Sequence, residues 1–163
     1  MPYDEAFVTI AGKSPLPYVD TPYGRMSASI CWETYYPARV RQAGKNGADI
    51  LFAPSNDVAP FALSASVMFV YRAIENGFSL VRPTGKGISL ITDYEGRVLG
   101  SQDYFTNKSG IMLTSIPIRG VRTVYSQIGD IFAYMCVAGL IFLTGWVIVR
   151  REKSAEVVRP KAL

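Results

Sequence analysis

Cys31 is followed two residues later by a carboxylate, in the stretch Arg25-Met26-Ser27-Ala28-Ser29-Ile30-Cys31-Trp32-Glu33. A cysteine at the tip of a strand with an acidic residue beside it has the makings of a thiol nucleophile. The chain contains no histidine. That excludes Ser-His-Asp and Cys-His catalysis and most zinc sites. A cysteine nucleophile here must therefore use a carboxylate as its base. No cofactor or metal is expected.

The elements that must carry Cys31 can be read from spacing and breakers. Residues 1–20 look irregular, broken by Gly12, Pro15 and Pro17, and Thr21-Pro22-Tyr23-Gly24 reads as a turn. Met26, Ala28 and Ile30 alternate with Ser27 and Ser29, which predicts a strand from Arg25 to Cys31. Pro37 suits the first turn of a helix ending near Asn46-Gly47. Ile50 to Ala53 is a short apolar run of the kind found in buried sheets.

Leu63, Val67, Val70/Tyr71 and Ile74 recur at helical spacing, and Gly77 stops that helix. Strands are predicted at Phe78–Arg82, Ile88–Thr92 and Gly110–Ile116, with a hairpin turn at Asp93-Tyr94-Glu95-Gly96 leading into Arg97–Leu99. Thr84-Gly85-Lys86-Gly87 lacks the P-loop spacing and reads as a strand connection. Arg72 and Glu75, three apart, read as a helix-surface pair. The mixture of strands and helices argues for an α/β or α+β layered fold.

The chain has 163 residues and a net charge of +4, with no basic run interleaved with aromatics. Nucleic acid is not an expected partner. The 49% hydrophobic content is unevenly spread. Ile131 to Val149 is 19 residues without a charge, ten of them Leu, Ile, Phe or Val. As a helix it would be roughly 28 Å long, close to the thickness of a hydrocarbon core. Those ten residues favour insertion by something on the order of 3–6 kcal/mol.

The expected organisation is a domain over 1–127, a transmembrane helix over 128–150 and a basic, disordered tail over 151–163. Arg150, Arg151 and Lys153 place that tail in the cytoplasm. The opening Met-Pro-Tyr-Asp-Glu is not a signal peptide, which leaves export of the domain unexplained by these residues. Cys136 lies inside the apolar run, so a disulfide to Cys31 is not expected.

Several motifs in order resemble the carbon–nitrogen hydrolase (nitrilase) superfamily. They are Ile30-Cys31-Trp32-Glu33, Gly47-Ala48-Asp49-Ile50-Leu51, Pro54-Ser55-Asn56-Asp57, Tyr71-Arg72-Ala73-Ile74-Glu75-Asn76, Gly87-Ile88-Ser89 and Asp93-Tyr94-Glu95-Gly96-Arg97-Val98. The Asn56-Asp57 pair, Ile116-Pro117, Tyr125, Gly129-Asp130 and the closing apolar helix more specifically resemble its apolipoprotein N-acyltransferase branch.

The resemblance implies the C-terminal part of an αββα sandwich followed by one transmembrane helix. It also implies a Glu-Lys-Cys triad that moves an acyl chain from a phospholipid, through a cysteine thioester, to the N-terminal amine of a lipoprotein. Cys31 matches the nucleophile and Glu33 the supporting carboxylate. The backbone N–H of Trp32 can serve as an oxyanion donor, while Asn56 and Asp57 shape the pocket. The family's base Glu and its Lys precede the cysteine. Glu5 lacks the expected strand before it, and Lys13 sits beside Gly12 and the proline loop, so neither matches.

The resemblance thus implies a phospholipid donor, a lipoprotein acceptor and an inner membrane with the catalytic domain on its outer side. It also implies an upstream segment or chain that supplies the missing triad members. A membrane-tethered amidase fits the cysteine equally well. A catalytically inactive fragment or binding module fits the missing helpers.

Overall fold

The computed structural model describes residues 14–108 and 110–157. Glu5 and Lys13 lie outside the described residues. The chain falls into two compact units, one ending at Gln127 and the other beginning at Ile128.

The first unit is built on one six-stranded sheet. Its strands are β1 (Tyr18–Thr21), β2 (Gly24–Ala28), β3 (Ile50–Phe52), β4 (Ser79–Arg82), β5 (Ile88–Thr92) and β6 (Val98–Asp103), paired in sequence order. β2, β3 and β4 run parallel, and the outer pairs are antiparallel hairpin partners. Parallel neighbours need crossovers. These are α1 (Pro37–Lys45) between β2 and β3, and α2 (Ala62–Asn76) between β3 and β4.

Each crossover starts and stops where its sequence directs. Pro37 opens α1, where a missing N–H costs nothing. Gly77 ends α2 in a left-handed conformation at φ 76°, and a Cβ there would sit 2.0 Å from the Val121 carbonyl oxygen. No other residue suits both demands.

The row Ser27, Leu51, Leu80 and Thr92 crosses the sheet on its helix-covered face, and all four are buried. Leu51 and Leu80 pack with Phe78 (just before β4), Val40 and Ala43 from α1, and Phe69 and Ala73 from α2. Burial of each large side chain in this set stabilises the fold by about 1.5–3 kcal/mol. The next row on the opposite face, Ala28, Phe52, Val81 and Ile91, is only partly covered, with Phe52 at 37% exposure. One helix layer on one sheet is thus the observed half of a layered α/β architecture.

The structure departs from the sequence reading in four places. Residues 18–21, read as irregular up to 20, form β1 against β2. The strand predicted through Cys31 stops at Ala28. Residues 110–116 form no strand; Ile111 and Leu113 are 91% and 90% exposed, and the Thr114 hydroxyl donates to the Leu99 carbonyl in place of a ladder bond. α2 forms as expected but buries the other side: Ala65, Ser66, Phe69 and Ala73 face the core, while Leu63 is 68% exposed and Val67, Tyr71 and Ile74 are also exposed.

A short α3 (Val124–Ile128) precedes α4 (Ile131–Val157). Ile131–Ile148 of α4 is long and apolar enough to cross a membrane, and none of it is buried. The helix continues to Val157. Residues 158–163 lie outside the described residues.

Candidate active site

The C-terminal ends of the three parallel strands converge. Cys31 follows β2, Ser55 to Asp57 follow β3, and Arg82 closes β4. This edge is where open α/β sheets bind ligands, because the chain there leaves the sheet in loops that carry side chains freely. An isolated bridge between Ser55 and Thr84 extends the β3–β4 pairing toward it.

Cys31 has φ 45°, the only positive value at a non-glycine among the described residues. A side chain in that region costs about 1–3 kcal/mol and persists only where the surroundings enforce it. Three sets of contacts do so. The N–H groups of Ser29 and Cys31 donate to the carbonyls of Phe52 and Pro54, both at 2.9 Å, and tie the chain to the β3 extension. The buried Thr34 hydroxyl donates to the Ser29 hydroxyl at 3.1 Å. Glu33 Oε2 accepts the Ile30 N–H at 3.0 Å, while Oε1 faces Arg39 at 3.3 Å.

The carboxylate of Glu33 is therefore engaged in holding the 3-10 turn Cys31–Tyr35, half of a capping box, rather than left free beside the sulfur. Trp32 lies in the first turn of that helix, whose leading N–H groups have no intrahelical partner. Its indole stacks on Tyr35 at 5.1 Å, and Tyr35 meets Phe69 edge-on at 5.9 Å.

On the other side of the sulfur stands Ser55. Its hydroxyl lies 3.6 Å from Cys31 Sγ and 2.9 Å from Asp57 Oδ1. Both carboxylate oxygens of Asp57 in turn accept from one terminal nitrogen of Arg82, Nη2, at 2.8 and 2.7 Å. The Arg82 side chain is fully buried and that of Asp57 is 6% exposed. A buried pair of this kind depends on further hydrogen bonds to its remaining donors. Here they reach the other terminal nitrogen, while Arg82 Nε is buried with no partner among the described residues. Arg82 also donates to the Ser66 hydroxyl and the Ile88 carbonyl, and its guanidinium lies 4.2 Å from the Phe69 ring centre.

The Thr84–Gly87 loop braces this network. Asp57 N–H donates to the Lys86 carbonyl at 2.7 Å, and Gly85 N–H donates to that of Ser55 at 2.9 Å. A Cβ on Gly87, at φ 134°, would fall 2.5 Å from Asp57 Oδ2, so the loop approaches the carboxylate as only glycine allows. Asn56 is exposed, and its amide oxygen lies against Gly85.

Burial raises the Tyr35 phenol above its ordinary range, and the charges of Asp57 and Cys31 add to that, with Arg82 opposing. No group of His, Cys, Asp or Glu among the described residues is arranged to hold a metal ion.

Of the residues singled out in sequence, Cys31 and Asp57 meet through Ser55. Glu33 and Trp32 shape the turn, and Asn56 sits at the rim. Sequence reasoning missed Ser55, Arg82 and Tyr35 as members of this cluster. Arg82 left one signal: Phe78, Leu80 and Arg82 alternate on one face, which places a cation on the buried side of β4.

The chain as a whole is similar to known proteins. The carbon-nitrogen hydrolase family model matches residues 2–125. The chain is 32% identical over 126 residues to an apolipoprotein N-acyltransferase of Geobacter metallireducens, covering 74% of this chain and 24% of that protein. It is 32% identical over 136 residues to one from Nostoc sp., covering 82% and 26%. It thus spans about a quarter of the length of the curated relatives it matches.

The fold is similar to that of an amidase from Nesterenkonia sp. AN1, solved with the acetamide moiety of fluoroacetamide on its active-site cysteine. The TM-score is 0.57 at 22% identity, over 63% of this chain and 43% of that one. With the family model spanning most of its length, this chain belongs to the carbon–nitrogen hydrolase family.

Proposed function

We propose that this chain is the nucleophile-bearing part of a membrane-bound acyltransferase of the lipoprotein-maturation type. The observation that carries the reading is Cys31. It is held in a left-handed conformation at the carboxyl edge of the parallel strands, in a chain similar to apolipoprotein N-acyltransferases. The apolar span Ile131–Ile148 supports a lipid setting.

In this reading the Cys31 thiol gives its proton to a general base, and the sulfur attacks the carbonyl carbon of a phospholipid ester. The Trp32 N–H faces the oxyanion. The C–O bond breaks, the lysophospholipid oxygen takes up the proton, and the acyl chain remains on Cys31 as a thioester. The N-terminal amine of a lipoprotein then attacks that carbonyl. The amide forms, the amine's proton leaves, and the thiolate returns. Glu33 and Arg39 hold the turn, while Asn56 and Asp57 form the pocket wall. The base and the oxyanion-binding lysine come from residues that precede the matched motifs. The domain works at the outer face of the inner membrane.

Membranes from cells expressing the intact gene, supplied with a fluorescent-acyl phospholipid, test this. The expected product is a fluorescent, hydroxylamine-sensitive adduct on the Cys31 peptide, absent in Cys31→Ser and discharged by a diacylated lipopeptide. Turnover of small amides with no adduct from phospholipid would instead favour a tethered amidase. An unreactive Cys31 would favour a non-catalytic module.

A further inference from the structure

Ser55 Oγ has one proton and two neighbours that want it. Asp57 Oδ1 lies at 2.9 Å and Cys31 Sγ at 3.6 Å. A hydroxyl donates once and accepts through two lone pairs. While Cys31 is a thiol, its S–H can point at Ser55 Oγ and the hydroxyl can donate to Asp57. Once the sulfur is an anion, it has no proton to give, and the contact survives only if the hydroxyl turns and donates to it.

We propose that Ser55 is a thiolate-stabilising residue whose hydroxyl rotates from Asp57 to the Cys31 sulfur when the thiol ionises. The inference rests on the reading of Cys31 as the nucleophile. Asp57 is what makes the rotation cheap. It already receives two hydrogen bonds from Arg82, so it loses its third donor without being left bare. Arg82 also offsets the carboxylate's charge, which would otherwise oppose an anion on sulfur.

The position of Ser55 is set by backbone rather than chance. Its N–H donates to the Pro83 carbonyl at 3.0 Å and its carbonyl accepts from Gly85. Charged or titratable groups near the sulfur include Tyr35, and Asp57 and Arg82 through Ser55, while Glu33 and Arg39 pair on the turn that carries Cys31. After acyl transfer the thioester sulfur is a poor acceptor, and the hydroxyl returns to Asp57.

Alkylation of Cys31 by iodoacetamide at neutral pH, in the detergent-solubilised full chain, reads this directly. The thiol proton goes to buffer, the S–C bond forms and iodide leaves. The Cys31 peptide is followed by mass spectrometry, so Cys136 does not interfere. A hydrogen bond to an anion is worth roughly a tenfold change in thiolate fraction, partly offset because a less stabilised thiolate is more nucleophilic. Ser55→Ala is therefore expected to alkylate about three- to fivefold more slowly.

Ser55→Thr and Ser55→Val have the same shape and differ in the hydroxyl. Threonine should keep most of the wild-type rate and valine should lose it, each measured well below its own melting temperature. That pair decides the matter even if the alanine variant folds poorly. Equal rates in the threonine and valine variants, or a wild-type rate in Ser55→Ala, would overturn the proposal. A Ser55-dependent rate with no adduct from phospholipid would leave it standing and sink only the acyltransferase reading.

Discussion

Arg82 grips both carboxylate oxygens of Asp57, at 2.8 and 2.7 Å, with the guanidinium wholly out of solvent. Removing one member of such a pair leaves the other charged and buried. Arg82→Met is expected to cost about 3–5 kcal/mol of stability in a urea melt of the solubilised chain. It should also slow Cys31 alkylation, because an uncompensated carboxylate next to Ser55 opposes a thiolate. A melt within experimental error of wild type would show that the pair is not held as the structure has it.

Glu33 separates two ways in which a carboxylate can support a cysteine. Its oxygens accept the Ile30 N–H and meet Arg39. Glutamine can still accept the Ile30 N–H, as capping boxes use either residue. Glu33→Gln should therefore keep the Cys31 alkylation rate within about twofold. Glu33→Ala should lower stability by about 0.5–2 kcal/mol, the usual scale for a lost cap, and slow alkylation. If Glu33→Gln is as slow as Glu33→Ala, the charge itself matters.

Tyr35 gives a pH signature. Its phenol is held above the ordinary value of 10.0 by burial first and then by the Asp57 charge. In the unfolded chain the phenol ionises near its ordinary pKa, while in the fold it resists. The unfolded state therefore holds fewer protons than the native one above about pH 10, and stability falls as pH rises there. In denaturation midpoints measured at neutral pH and above pH 10, wild type should lose stability relative to Tyr35→Phe, which has no phenol to ionise. An unchanged gap would contradict the buried environment.

The two faces of α2 predict opposite responses. Phe69 is fully buried under the Arg82 guanidinium, and Leu63 is exposed. Phe69→Ala should cost about 3–5 kcal/mol, and Leu63→Ser about 0.5 kcal/mol or less in the solubilised chain. A large loss for Leu63→Ser would mean that the exposed stripe is packed in solution.

By itself the sequence determined whatever depends on short range. Pro37, Gly77 and the Asp93–Gly96 turn mark element ends because backbone angles are local properties. The uncharged run Ile131–Val149 yields α4 because hydropathy needs no partner. The Cys31 and Pro54–Asp57 motifs were visible as residues. What joins them was not. Alternation over Gly110–Ile116 reads as a strand, yet no neighbour among the described residues supplies the ladder.

The spacing of Leu63, Val67 and Ile74 is that of a buried stripe, but the sheet takes the Phe69 and Ala73 side. The left-handed backbone at Cys31 depends on the Phe52 and Pro54 carbonyls, more than twenty residues away along the chain. Arg82 looks like an ordinary strand-end cation until the parallel crossovers set β4 beside β3 and Asp57 reaches it. Tertiary structure decided these points because a buried charge, a strained φ and a shared hydroxyl proton are each set by partners that only folding brings within bonding distance.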